Sequence, residues 1–265
     1  MKTINAYLSV AMATLSLSLT SCLGNGKNEI SMPQQACVIV NDPTTYQKVA
    51  QIQGGTLLTS TTLDGQPGIA EGTCWLSDIT VNFDDQPQGA KALTAIMTNW
   101  IRVEDKQMTT GDSTGTGGYN QIISEAAAYQ YIKTENKGDM LFVVARSKEA
   151  QKQVNEYELI FDQNSEGEEV GGRKVFTMYL RSRVKTPGDA NDILVEKGTP
   201  AAFNISSFMR TKGEALQAEG YDLIGVRLLY MNKVDTLENG TLNYKFITPA
   251  NVNPAYIPLP KKEDK

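Results

Sequence analysis

The segment VFTMYLRSRV (175–184) sets Phe176, Met178 and Leu180 against Thr177, Tyr179, Arg181 and Arg183. Successive side chains of an extended chain point to opposite faces, so this period of two marks a half-buried strand rather than a helix. The same alternation recurs. Tyr157, Leu159 and Phe161 are interleaved with Glu156 and Glu158, DITVNFDD carries Ile79, Val81 and Phe83, and LNYKFIT carries Leu242, Tyr244 and Phe246. Asp64-Gly65 and Asn239-Gly240 are dipeptides that accept the positive φ of tight turns. Many short strands separated by Gly, Pro, Asn and Asp predict an all-β chain of sandwich or barrel type, not a parallel α/β sheet.

Two stretches depart from this pattern. QIISEAAAYQYIK (121–133) holds three consecutive alanines and good helix formers, which predicts one short helix near the minimum useful length. SKEAQKQV (147–154) reads as a polar turn between strands. The near-absence of hydrophobes in TTGDSTGTGGY (109–119) places a boundary there. The expected organisation is an N-terminal β-domain over 36–110, a linker over 111–137, a C-terminal β-domain over 138–250 and a tail over 251–265, whose end PLPKKEDK is expected to be solvated.

The N-terminus addresses the chain. Lys2 precedes an apolar run studded with small hydroxyls over 7–19. Its length, about a dozen residues, is short of the ~20 needed to span a bilayer and suits the core of a secretory signal. Leu19-Thr20-Ser21-Cys22 then resembles a bacterial lipobox. This predicts a signal peptide over 1–21, lipidation of the Cys22 thiol, and a flexible tether over 22–35. Two or more acyl chains anchor a protein stably where one does not. No Asp follows Cys22, which favours the outer membrane. Losing Lys2 leaves 24 basic against 30 acidic residues, a net charge of −6. Cys37 and Cys74 remain, either as a disulfide or as two buried thiols.

An acidic chain, with a pI near 5.0, disfavours nucleic acid as a partner. The complete absence of histidine removes the Ser-His-Asp and Cys-His nucleophile systems and the commonest zinc ligand. Gly111-Asp112-Ser113 therefore reads as linker, not as a protease nucleophile segment. Asp162, Asn164 and Glu166 begin like a calcium loop, but Arg173 stands where a bidentate Glu is needed, so an acidic hairpin loop is expected. Asp84-Asp85 reads as a strand-end turn, and Trp75 and Trp100 as core or near-core. Asp112-Ser113-Thr114 and Asp235-Thr236-Leu237 match a short acceptor pattern for O-glycosylation.

Glu156 and Glu158 share one strand face, and Arg181 and Arg183 share another with Tyr179. If these strands pair, cross-strand ion pairs follow. The alternative is a ligand face formed by Tyr179, Arg181 and Arg183, residue types enriched at binding hot spots.

The succession DMLFVVARS, NEYELIFDQN, KVFTMYLRSRV, PAAFNISSFM, DLIGVRLLYMN and LNYKFIT resembles the C-terminal domain of the NigD-like lipoproteins of Bacteroidota. The matching patterns are Y-x-L-x-F-D, Y-L-R and the F-x-I-S-S-F edge at 203–208. The resemblance implies a small OB-like N-terminal barrel followed by an Ig-like sandwich, with no established catalysis. The expectation is therefore a lipid-anchored outer-membrane β-protein without enzyme activity or cofactor, binding a protein or glycan. A structural subunit of an envelope assembly and a glycan hydrolase built on carboxylates alone are the alternatives. No residue is assigned a catalytic, cofactor-binding or metal-binding role.

Overall fold

The computed structural model describes residues 28–111, 118–119, 121–189, 191–240, 242–248 and 252–259. The leader with Cys22, the Asp112-Ser113-Thr114 pattern and residues 260–265 lie outside the described residues. The protein is all-β, with 58% of it in strands and 10% in helix. It divides into two units. One comprises the described residues up to Asp105 together with Gln130–Leu141; the other comprises Lys106–Tyr129 and the described residues from Phe142 onward.

The first unit is a curled half-barrel sheet. Its strands are β1 (Glu29–Asn41), β2 (Lys48–Gln51), β3 (Leu57–Thr59), β4 (Cys74–Asn82), β5 (Ala92–Thr94) and β6 (Ile96–Gln107), in the order β5-β3-β2-β1-β4-β6. All pairs are antiparallel except β3–β5. Ile39, Leu58, Leu63, Ile79 and Met97 fill its core, each at most 2% exposed. Leu63 belongs to the helical turn α1 (Thr61–Gly65), whose Ser60 hydroxyl accepts the Thr62 N–H. The Asp64-Gly65 dipeptide thus ends a helical turn and not a hairpin.

Asp78 fixes the register on both sides of β4. Its Oδ1 accepts the Gln34 N–H at 2.7 Å and its Oδ2 accepts the Asn99 amide at 2.6 Å. Gln34 and Asn99 have φ of 48° and 53°, and they sit at or beside the register shifts of β1–β4 and β4–β6. Left-handed backbone is costly for residues other than Gly, so each shift needs the hydrogen bond that holds it. The Asn99 bond, followed by the Gln34 bond, keeps the Asp78 carboxyl below the usual carboxylate range.

In β1 and β4, Cys37 lies opposite Trp75, and Cys74 lies opposite Val38. Paired residues share a face and sequence neighbours do not. Cys37 therefore joins the core with Trp75, while Cys74 points to the other side of the sheet. Both thiols are free and fully buried, which corrects the disulfide alternative. The Cβ directions of a diagonal pair on opposite faces do not meet disulfide geometry. Burial pushes the Cys74 thiol up to about 12, and that of Cys37 higher still.

After β7 (Thr109–Thr110), β8 (Glu125–Thr134) runs from the second unit into the first and β9 (Gly138–Glu149) returns. This corrects the helix expected over 121–133. Ala126, Ala128, Ile132 and Thr134 are buried in alternation with more exposed neighbours, so the real period is two. Thirteen residues make a marginal helix unaided, and pairing with β9 together with ring contact between Tyr129 and Phe142 outweighs alanine's propensity. The hairpin tip belongs to the first unit. Gln130 accepts the Ala36 N–H, Gln51 donates to the Lys133 carbonyl, and Lys137 pairs with Asp105 at 2.6 Å.

The second unit adds β10 (Val154–Phe161), β11 (Glu168–Val170), β12 (Arg173–Thr186), β13 (Val195–Asn204), β14 (Leu223–Thr236), β15 (Leu242–Phe246) and β16 (Ala255–Pro258). One sheet runs β15-β14-β12-β10-β7, with β11 beside β12 and β16 beside β14; β13, β9 and β8 belong to the other. β12 and β14 are parallel, Val175–Leu180 against Gly225–Tyr230. Parallel neighbours need a long crossover, which β13 and a helical stretch over 206–219 provide. That stretch, absent from the sequence expectation, starts where the Asn204 side chain accepts the Ser206 N–H. It ends at Gly220, with φ 95° and a Tyr221 N–H bonded to the Leu216 carbonyl. Phe208, within it, packs edge-on against Phe161 and Phe176 at 4.9 and 5.5 Å between centroids. The tail expected from 251 is likewise corrected, because β16 pairs with Leu223–Val226 and buries Ala255, Ile257 and Leu259.

Gly225 occupies the tightest backbone approach in this sheet. A Cβ there would stand 2.7 Å from Val175 Cγ2, 3.1 Å from the Lys174 carbonyl and 3.2 Å from Tyr256. Gly225→Ala should therefore cost about 1–3 kcal/mol, the usual range for overpacking, measured as a lower urea midpoint at unchanged m-value. For the chain from Leu23 onward, both thiols should resist alkylation when folded and both should react in guanidinium without reductant. A mass lower by two protons and no titratable thiol would establish the disulfide instead.

Candidate functional site

β12 is flanked by β10 and β14, and its alternation divides the sheet into two chemistries. Phe176, Met178, Leu180 and Ser182 are buried; Thr177, Tyr179, Arg181 and Arg183 lie on the opposite, more open face. The antiparallel register places Glu158 opposite Arg181 and Glu156 opposite Arg183. The cross-strand pairs follow directly. Arg181 Nε donates to Glu158 Oε2 at 2.7 Å, and Arg183 donates through Nε and Nη2 to Glu156 Oε2 at 2.7 and 2.6 Å.

The remaining carboxylate oxygens are also taken. Lys106 Nζ donates to Glu156 Oε1 at 2.8 Å, and the Thr109 hydroxyl donates to Glu158 Oε1 at 3.0 Å. Lys106 and Thr109 come from the segment that enters the second unit and forms β7, so the cluster ties that segment to β10. The Arg181 side chain is 11% exposed and that of Arg183 44%. Lys106, then Arg183, hold the Glu156 carboxyl below the usual carboxylate range.

The aromatic side chain above the arginines is Tyr119, from the segment expected to be a linker. Its ring centroid is 4.9 Å from the Arg181 guanidinium carbon and 4.8 Å from that of Arg183. Burial, followed by the charge of Glu158, pushes its phenol above the ordinary range. No local pattern marks this role, because it depends on where the chain after a glycine-rich stretch returns. Tyr179, expected to act with the arginines, packs instead edge-on against Phe246 at 5.2 Å. The structure therefore brings Arg181 and Arg183 together under Tyr119, while Tyr179, on the same face of β12, reaches past β14 to the ring of Phe246.

Other sequence candidates are placed as follows. Trp75 is core, its indole donating to Thr73 Oγ1 at 2.8 Å, and half-buried Trp100 meets it edge-on at 5.9 Å. Asp162 accepts the Asn164 N–H and so closes its own turn. No group of three or more Cys, Asp or Glu side chains is arranged to hold a metal among the described residues. Asp84 and Asp85 hydrogen-bond with Asn82 at the end of β4. Asp235 is bound by Lys233 and Lys245, with Thr236 exposed at the end of β14. A second polar cluster, at the β9–β10 turn, buries Glu149 beneath donors from Ser147 and Asn155 at 2.8 and 2.9 Å. Lys197 Nζ donates to the Ala150 and Gln151 carbonyls of the same turn at 2.7 and 2.5 Å, and the cluster reads as a turn lock.

Because Glu156 has a lowered pKa when folded, its contribution is present above the unfolded carboxylate pKa and is lost as pH falls through the folded value. Stability should thus decline below about pH 5, and Glu156→Gln should flatten this limb in denaturation curves taken from pH 7 to 3. A double-mutant cycle on Arg181→Met and Glu158→Gln should give a coupling of about 1 kcal/mol or more, above the few tenths of an exposed pair.

No family model and no curated protein sequence matches the chain. Solved structures do. An uncharacterised protein from Parabacteroides merdae aligns at a TM-score of 0.70 and 17% identity, covering 88% of this chain and 100% of that one. A candidate lipoprotein from Bacteroides fragilis aligns at 0.52 and 12% identity, covering 89% and 100%. A NigD-like immunity protein from Bacteroides caccae is also among the neighbours, at 0.41 and 11% identity, covering 84% and 93%; a score this low carries no argument. The first two likenesses establish a shared fold.

Proposed function

We propose that this protein is an exported, lipid-anchored binding module of the outer membrane, without enzymatic activity, which uses the open face of β10 and β12 to engage a protein or glycan. The observation that carries the reading is the Arg181–Arg183 face, where charged and aromatic groups are concentrated without an acid–base set. Glu156 and Glu158 are the carboxylates paired with the arginines of that face, and each is held by a guanidinium. A carboxylic acid that donates a proton during glycoside cleavage must have its pKa raised. Glu156 is shifted the other way, which favours binding over hydrolysis. The fold shared with a candidate lipoprotein agrees with the lipobox at Cys22.

The anchor is tested by metabolic labelling with an alkyne fatty acid followed by membrane fractionation. The wild-type protein should carry label and sediment with outer membranes. Cys22→Ala should lose the label and remain unprocessed or soluble. An unlabelled, soluble wild-type protein would overturn the anchored reading.

A further inference from the structure

Among the described residues, the cluster beneath Tyr119 is short of one acceptor. Lys106, Arg181 and Arg183 supply three positive charges against the two of Glu156 and Glu158. All four carboxylate oxygens already accept a hydrogen bond from Lys106, Thr109, Arg181 or Arg183. Yet Arg181 Nη1 is buried and has no hydrogen-bond partner among the described residues. A buried guanidinium N–H without an acceptor is uncommon, because it forfeits its hydration and gains nothing in return.

We propose that this position is a binding site for a single carboxylate, which accepts from Arg181 Nη1 and takes up the one unmatched positive charge. The inference rests on the binding-module reading and names the chemistry of its ligand. The unit charge selects the class: a carboxylate balances one excess positive charge, whereas a phosphate monoester brings −1.5 to −2 and would leave the cluster negative. The planar fork of arginine suits a carboxylate, with charge-assisted bonds about twice as strong as neutral ones. Arg183, 44% exposed, forms the open flank, and the Tyr119 ring lies over both guanidinium groups. Tyr119 stacks on both guanidinium groups, a weak contact that a small rotation of the ring exchanges for the ligand. The carboxylate can come from an acidic sugar or from an acidic peptide side chain.

The test is a titration of the mature chain at low ionic strength, following arginine side-chain N–H signals by NMR. The probes are sodium D-glucuronate, N-acetyl-L-glutamate and inorganic phosphate. At least one carboxylate should shift the Arg181 signal saturably, and phosphate should bind more weakly. Glucuronate binding more tightly identifies the sugar source, and N-acetylglutamate the peptide source. Arg181→Lys keeps the charge but loses the fork, and it should weaken binding at least tenfold. Should that variant misfold in a thermal melt, the half-exposed Arg183→Gln serves instead, with an expected weakening of at least threefold. Three results would overturn the proposal: no saturable shift with either carboxylate, unchanged affinity in a folded variant, or tighter binding of phosphate. Cys22 acylation is scored separately, so a labelled protein that ignores carboxylates fails this inference alone. An unlabelled protein that binds them fails only the anchoring.

Discussion

The two-residue period of β12 is the constraint on which the second unit depends. Its even-numbered side chains, Phe176, Met178 and Leu180, enter the core, where Phe176 meets Phe161 and Phe208. Its odd-numbered ones carry the arginines. The backbone of the same strand pairs antiparallel with β10 and parallel with β14. A slip of one residue would exchange both faces at once, burying guanidinium groups and exposing phenylalanine. The aromatic core thus fixes the register of β12 against β10, and that register sets Glu156 and Glu158 opposite their arginines. Stability and surface chemistry are two readings of one alignment.

In the first unit the corresponding element is β4. Asp78 reaches to both neighbouring strands and holds two left-handed residues, neither of them glycine. A curled sheet needs local irregularity where strands bend, and bulges supply it. Here one carboxylate serves two of them, so the curvature on each side of β4 has a common origin. The hairpin tip 130–141 completes this unit from a distant part of the sequence. A cut at residue 110 would therefore remove donors and acceptors that β1, β2 and Asp105 use.

Much of the β-structure is legible in the sequence because alternation is local information. The strands around Ile79, Tyr157, Phe176 and Tyr244 lie where the period of two puts them. Glu156, Glu158, Arg181 and Arg183 were readable as two sets of like charges, and only their pairing needed the fold. The helix expected over 121–133 failed because alanine has little side chain to declare a face, so propensity spoke louder than pattern. The true helical stretch over 206–219 did carry signals, Asn204 before it and Gly220 after it, but the preceding FNISSF read as strand. Tyr119 could not be found in this way. Its partners lie 62 and 64 residues further along, and no spacing rule joins them. The opposed faces of Cys37 and Cys74 likewise emerge only once β1 and β4 are in register.

The last strand has a consequence for how the chain reaches its fold. β16 pairs with Leu223–Val226 and buries Ile257 against a sheet whose other strands come from as far back as Thr109. Synthesis proceeds from the N-terminus. Until Ala255–Pro258 emerges, β14 lacks this partner and Tyr256 is missing from beside Gly225. Long-range pairing of this kind is slow and comes late. The second unit therefore stays incomplete until Ala255–Pro258 has been made.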